Sequence, residues 1–351
     1  MWFCYLSTAM NRPGEGLPDS AAHQAQAMAL PWLVADVGGT NARFGWVGEA
    51  GGPVRHVRTL PVAGYAGPAE AVAAYLQVLQ AESGEPLPRP RRAAWALATA
   101  LEGDGVELTN GHWRFSRSGL QQVLGLEQLC LLNDFEALAL SLPRLQPHQM
   151  RAHGASPRAE GVLAVIGPGT GLGVGGVVQT GQTWTALPGE GGHATLAATD
   201  DDEAQVLAEV RRRFEHVSAE RLLSGLGLPV LYQAVCVLAA RPARELAAPQ
   251  IMEAGARGED AMCQRTLHLF CALLGSFAGN VALTLGARGG VYIGGGIVPR
   301  LGEFFFQSRF REKFEAKGRF RAYLADIPTA LITDTLAALT GAAAALEQAP
   351  G

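Results

Sequence analysis

The sequence predicts an α/β protein of two domains of similar design that face each other across an active-site cleft. Three observations carry this expectation. The length of 351 residues exceeds the roughly 100–200 residues of one ordinary domain. Short apolar strands alternate with amphipathic helices through the first half. One unit, an apolar strand, a Gly/Thr turn and a returning strand, occurs at 32–47 and again at 161–178, about 130 residues later.

In chain order, 32–37 is an apolar run, Gly38-Gly39-Thr40-Asn41 a turn, and 42–47 a second strand. Residues 53–62 read as a third strand. Residues 69–82 form a helix with Val72, Tyr75, Leu76 and Leu79 on one face. Strands follow at 93–98 and 128–132, the latter ending on Asn133-Asp134. The second copy has strands at 161–166 and 172–178 around Gly167-Pro168-Gly169-Thr170-Gly171, then a strand at 183–187. The remainder reads mainly as helix, at 201–214, 218–223, 230–239 and 259–285. In the last of these, Gly275 and Gly279 leave room for a close helix neighbour. A strand at 290–293 runs into Gly294-Gly295-Gly296. Asp334 reads as the cap of an alanine-rich final helix that should pack back on the first domain. The expected division is a flexible tail over 1–30, a small domain of 31–143 with 334–351, and a large domain of 144–333.

Composition removes several function classes. With 28 Lys+Arg against 32 Asp+Glu, the net charge of −4 gives no basic footprint for nucleic acid. The only lysines, Lys313 and Lys317, stand far from the glycine-rich turns. A P-loop, whose lysine follows its glycines directly, is thereby excluded. The five cysteines, Cys4, Cys130, Cys236, Cys263 and Cys271, form no C-x-x-C pair and suit reduced thiols in a cytoplasmic protein. No uninterrupted apolar run reaches membrane-spanning length, so no membrane partner is expected.

Four segments can carry chemistry. Asp36 ends a strand just before Gly38-Gly39-Thr40-Asn41. Such a turn can offer backbone N–H groups and a hydroxyl to phosphate, and Asp36 can hold Mg2+ through its water shell. The plain alternative is an ordinary hairpin. Gly167 to Gly173 is a second such hairpin. The segment after it reads as strand, where a dinucleotide fingerprint needs a helix. Asp134 stands where a strand gives way to a helix, and is either an N-cap or a general base that accepts a hydroxyl proton. Glu190 and His193, flanked by glycines in Leu187 to His193, can each bond a hydroxyl of a small polyhydroxy ligand; the alternative is a solvated turn. Ser218-Ala219-Glu220-Arg221 reads as a helix start with Ser218 capping. Residues 109–113 read as a turn.

Taken together, these segments resemble the bacterial glucokinase family of the hexokinase and actin-like ATPase superfamily. The resemblance rests on DVGGTNARF at 36–44, TN-x-x-W at 109–113, LNDFEA at 132–137, GPGTGLG at 167–173, LPGEGGH at 187–193, HVSAERLLSG at 216–225 and GGVYIGGGIVPR at 289–300. It covers the chain from Leu33 to Ala345. The resemblance implies a two-domain actin-like (ribonuclease H-like) ATPase fold and ATP-dependent, Mg2+-assisted phosphorylation of glucose at its 6-hydroxyl. It also implies a homodimer. Asp134 then stands as catalytic base, with Asn110, Asn133, Glu190, His193 and Glu220 as further glucose contacts. Gly38, Gly39, Thr40, Asn41, Gly169, Thr170 and Gly171 would cradle the phosphates, and Gly294, Gly295 and Gly296 would pass beneath the adenosine. The zinc motif of the related repressor and kinase group is absent, and Thr99-Ala100 stands where the family pattern has a proline. A kinase for another hexose and a non-catalytic sugar-sensing regulator are the alternatives.

Overall fold

Runs of buried aliphatic residues make the central strands of two sheets. In the first sheet, β1 (Trp32–Val37), β4 (Arg92–Leu97) and β7 (Gln128–Asn133) lie parallel. The nearly unbroken burial of β1 and β4 is what a sheet covered on both faces requires, whereas β7 at the edge is half-buried at several positions. β2 (Asn41–Val47) returns antiparallel on β1, and β3 (Arg55–Pro61) on β2, giving the order β3-β2-β1-β4-β7. A separate hairpin of β5 (Gly105–Glu107) and β6 (Arg114–Ser116) carries residues 109–113 between its strands. The computed structural model describes residues 30–99, 101 and 103–348. Apart from Leu30, the tail expected over 1–30 lies outside the described residues, as does Ala100.

The second sheet repeats the plan of the first. β9 (Val162–Pro168), β10 (Leu172–Thr180) and β11 (Thr183–Leu187) form an antiparallel meander; β12 (Gly290–Ile293) and β13 (Thr329–Ile332) then add in parallel beside β9. β8 (Met150–His153) closes the far edge, in the order β11-β10-β9-β12-β13-β8. The repeated strand, turn and strand unit thus opens two sheets of like topology. Each places a Gly/Thr turn beside the carboxyl ends of its parallel strands, where α/β folds bind ligands.

The expected helices form with bounds shifted by a few residues, whereas Ala248–Ala256 and the short helices within 298–325 were not expected. Pro68–Ser83 buries Val72, Tyr75 and Leu79 and ends at Gly84 in the left-handed region. The helix Ala261–Leu285 starts on Asp260, whose carboxylate accepts from the amides of Met262 and Cys263 at 2.8 and 2.9 Å. By length and mean composition it could cross a membrane, but polar residues interrupt it and 83% of its most apolar window is buried within the protein. Gly275 and Gly279 let it abut the backbone of Phe310 and Phe314. The sequence reading found neither β8 nor β13, nor the β5–β6 hairpin. These are three- or four-residue strands, too short to show a period.

The final helix, Ala337–Gln348, lies against the helix Asp134–Ser141 and against β1 and β4. Gly341 permits the approach, since a Cβ there would overlap the Ala137 carbonyl. Its end is fixed by Glu347, which takes Arg144 Nη1 at 2.9 Å and Nη2 at 2.5 Å, and by Arg92 Nη2 on the Leu346 carbonyl at 3.0 Å. Asp334 caps the turn before the helix by accepting the Leu336 amide at 2.8 Å, with Gln149 Nε2 on its other oxygen at 2.6 Å.

Candidate active site

Asp36 sits near the end of β1 in register with Arg43 of β2, whose Nη1 donates to its Oδ2 at 3.0 Å. Burial raises the Asp36 pKa, and the Arg43 charge opposes that rise. The adjoining turn is closed by the Gly38 amide on the Asn41 carbonyl at 2.9 Å, leaving Thr40 and Asn41 exposed. Gly39 has no room for a side chain, because a Cβ would overlap the Asn110 backbone. The first Gly/Thr turn and the 109–113 segment are therefore in contact, with Asn110 exposed and Trp113 buried beneath. The indole of Trp113 donates to the Tyr65 carbonyl at 3.0 Å.

Where β7 gives way to the helix Asp134–Ser141, the cap is Asn133, whose Oδ1 accepts the Phe135 amide at 2.9 Å. Asn133 Nδ2 donates to the Thr99 carbonyl at 3.4 Å, so both ends of this side chain have a structural partner. Asp134 is freed from capping and becomes the first helical residue, its Oδ1 also accepting the Phe135 amide at 3.0 Å. Its pKa is pushed up to about 6, first by burial and then by the charge of Asp36, with Glu190 adding to the rise; the Phe135 and Asp134 amides oppose it. Carboxylates from β1, the Asp134 helix and the 187–193 loop thus act on one another. A cavity of about 340 Å³ opens beside them, lined among others by Asn133, Glu136, Val174, Pro188 and Glu190.

The β9–β10 turn is pinned at both ends. The Gly169 amide donates to the Gly171 carbonyl at 2.8 Å, and the Gly225 amide to the Gly169 carbonyl at 2.8 Å. Glu220, on a short helix that Ser218 caps through the Arg221 amide at 3.2 Å, reaches back to this turn. Its Oε2 accepts the Leu172 amide at 2.8 Å and packs against Gly171. Its Oε1 lies 3.9 Å from His193 Nδ1. Glu190 is exposed and precedes the turn Gly191–His193. One side chain therefore links the second Gly/Thr turn to the Glu190 and His193 loop.

The three glycines after β12 differ from one another. Gly294 is buried against Leu138 and Val165, and its amide donates to the Ile166 carbonyl at 2.8 Å. Gly295, at φ +74°, and Gly296 are the exposed pair, with Gly295 pressed on the Pro168 carbonyl. Sequence reasoning assigned no role to Arg43 or Phe135, although both fall inside the quoted motifs. Among the described residues no three His, Cys, Asp or Glu side chains converge as a metal site. The lone Asp36 carboxylate suits Mg2+, which keeps most of its waters and takes one or two carboxylates along with substrate phosphates.

Comparison with known proteins gives the chain's relatives. The family model described as Glucokinase matches residues 33–349. A glucokinase of Aromatoleum aromaticum is 50% identical over 320 residues, spanning 91% of this chain and 95% of its own. The crystal structure of a glucokinase from an Antarctic psychrotroph matches with a TM-score of 0.84 at 38% identity, covering 91% of this chain and 99% of that one. A ROK family glucokinase from Streptomyces griseus, in complex with glucose and AMPPNP, shares the fold with a TM-score of 0.58 at 18% identity, covering 90% and 98%.

Proposed function

Since the chain belongs to the glucokinase family, with its two-domain actin-like ATPase fold, and phosphorylates D-glucose with ATP, we propose that Asp134 is the base of that reaction. The observation that carries this reading is the Asp134 carboxyl, set at the head of its helix with a pKa of about 6 next to Asp36 and Glu190. A base poised near the working pH gains most from proton transfer.

Glucose enters between the two units, 31–143 with 334–351 and 144–333. Its hydroxyls pair with Asn110, Asn133, Glu190, His193 and Glu220. The backbone of Gly38, Gly39, Gly169 and Gly171, with Thr40, Asn41 and Thr170, takes the phosphates. Gly295 and Gly296 lie beneath the adenosine, over a buried Gly294. Asp36 would hold Mg2+ through its water shell, and the ion would supply positive charge to offset that of the substrate phosphates. Closure excludes water that would otherwise accept the phosphoryl group. Asp134 then takes the 6-hydroxyl proton as that oxygen attacks the γ-phosphorus in line. The resemblance further supports a cytoplasmic homodimer, and the charge of −4 gives no support for a nucleic-acid partner.

ADP release measured with and without glucose, and with fructose, mannose and N-acetylglucosamine, tests the reaction. Release should require a hexose and favour glucose; equal release without sugar would show an ATPase. For the sugar site, Glu190→Gln is expected to raise KM for glucose about 10- to 100-fold, the range of one hydrogen bond to a charged group, with KM for ATP nearly unchanged. An unaltered glucose KM would remove Glu190 from the site.

A further inference from the structure

β9 and β10 place Gly167 directly opposite Gly173, and Gly175 two residues further along the same face. A Cβ at Gly167 or Gly173 would overlap the Phe135 ring. A Cβ at Gly175 would fall 2.9 Å from the Phe135 carbonyl oxygen. By contrast, a Cβ at Gly169, at the tip of the same hairpin, meets nothing within 4 Å. The strand glycines thus form a flat seat for one aromatic residue, while Gly169 at the tip stands clear of it. Glycine within a strand commonly marks such a close approach.

Phe135 is engaged at three points. Its ring lies on the glycine pair, its carbonyl faces Gly175, and its amide is the donor to Asp134 Oδ1 at 3.0 Å. The residue that rests on the second Gly/Thr hairpin also holds the neighbouring carboxylate by its N–H. We propose that Phe135 is a positioning residue for phosphoryl transfer, fixing the Asp134 carboxylate relative to the hairpin that receives the phosphates. This rests on the reading of Asp134 as base. Gly167, Gly173 and Gly175 thereby have the role of seating Phe135.

The test is a double-mutant cycle with full kinetics. Phe135→Ala should lower kcat about 10²-fold, the cost of a misplacement near 1 Å, with both KM values within about 3-fold of wild type. Phe135→Leu, which keeps part of the packing, should lie between. Gly173→Ala should lower kcat when Phe135 is present, yet cost little more once Phe135→Ala has emptied the seat. If Phe135→Ala does not fold, Phe135→Leu with and without Gly173→Ala makes the same comparison. Wild-type kcat in the Phe135 variants would overturn the inference. So would a loss confined to KM for ATP, or an equal cost of Gly173→Ala in both backgrounds, which marks a phosphate contact. Asp134→Asn measured alongside separates the two readings: full activity there removes the base, whereas an inactive Asp134→Asn beside unaffected Phe135 variants removes only the seat.

Discussion

Asp134→Asn is expected to lower kcat about 10³-fold, within the range general-base catalysis supplies, while KM for glucose changes little. The amide keeps the shape of the side chain and can still accept the Phe135 amide, but it cannot take the hydroxyl proton. The pH dependence provides a second reading. Asp134 must be ionised to act, and its pKa is about 6. The wild-type kcat/KM should therefore be level above that pH and fall about tenfold per unit below it. An ordinary aspartate would place this limb near pH 4, and the variant should lack it. Stability should move the opposite way. A folded pKa above the unfolded value means that the native state binds the extra proton between about pH 4 and 6, so stability declines as pH rises through that window. Above it the ionised, partly buried carboxylate is unfavourable, and Asp134→Asn should melt higher than wild type. Near-normal turnover by this variant would end the assignment.

The largest loss of stability is expected from Lys313→Met, about 3–5 kcal/mol, the cost of stranding one member of a buried ion pair. Lys313 Nζ donates to Thr199 Oγ1 at 2.7 Å and to Asp200 Oδ2 at 2.6 Å, and is ion-paired with Glu203 Oε1 at 2.8 Å. Lys313 and Glu203 are 4% and 1% exposed. Burial disfavours the lysine charge, yet the bonds to Asp200 and Glu203 prevail and hold its pKa above the usual lysine value. The stabilisation is complete below that usual value and disappears as pH rises past the raised one. Asp200 sets the acid limit. The Glu203 amide first, and the Lys313 bond next, depress its pKa, so its contribution is lost as pH falls through the lowered value. Urea unfolding near neutral pH measures the loss. Adding Glu203→Gln to Lys313→Met should recover part of it, because the stranded charge is gone while Thr199 keeps its acceptor. Wild-type stability in Lys313→Met would show that the three contacts contribute nothing net.

The legible parts of this molecule were those written in local pattern. Two Gly/Thr turns between apolar strands give the two meanders, and Ser218 announces its helix by capping chemistry. Short strands that lie wholly in the interior were silent. Thr329–Ile332 is buried at every position, so no alternation distinguishes it from helix or loop. Asp334 was sound as a cap signal, although regular helix begins only at Ala337. The site was legible as a set of residue types and less so as contacts. Nothing adjacent in sequence shows that the strand glycines await Phe135 from about 30 residues upstream. Nor does the motif show that both ends of Asn133 are already bonded, to Phe135 and Thr99. The glycines were visible, but whether their neighbour is a ligand or another part of the chain is a tertiary fact.

The return of the final helix also sets an order of events during synthesis. Domains made early usually fold while the rest of the chain is still being translated. Here the helix that bears Asp134 rests on residues 337–348, so its seat is completed only once those residues have been made. The first sheet can gather before then, but with β1 and β4 lacking the cover of Leu339, Ala342 and Leu346. A nascent chain therefore lacks the support for the helix that bears Asp134 until residues 337–348 have been made.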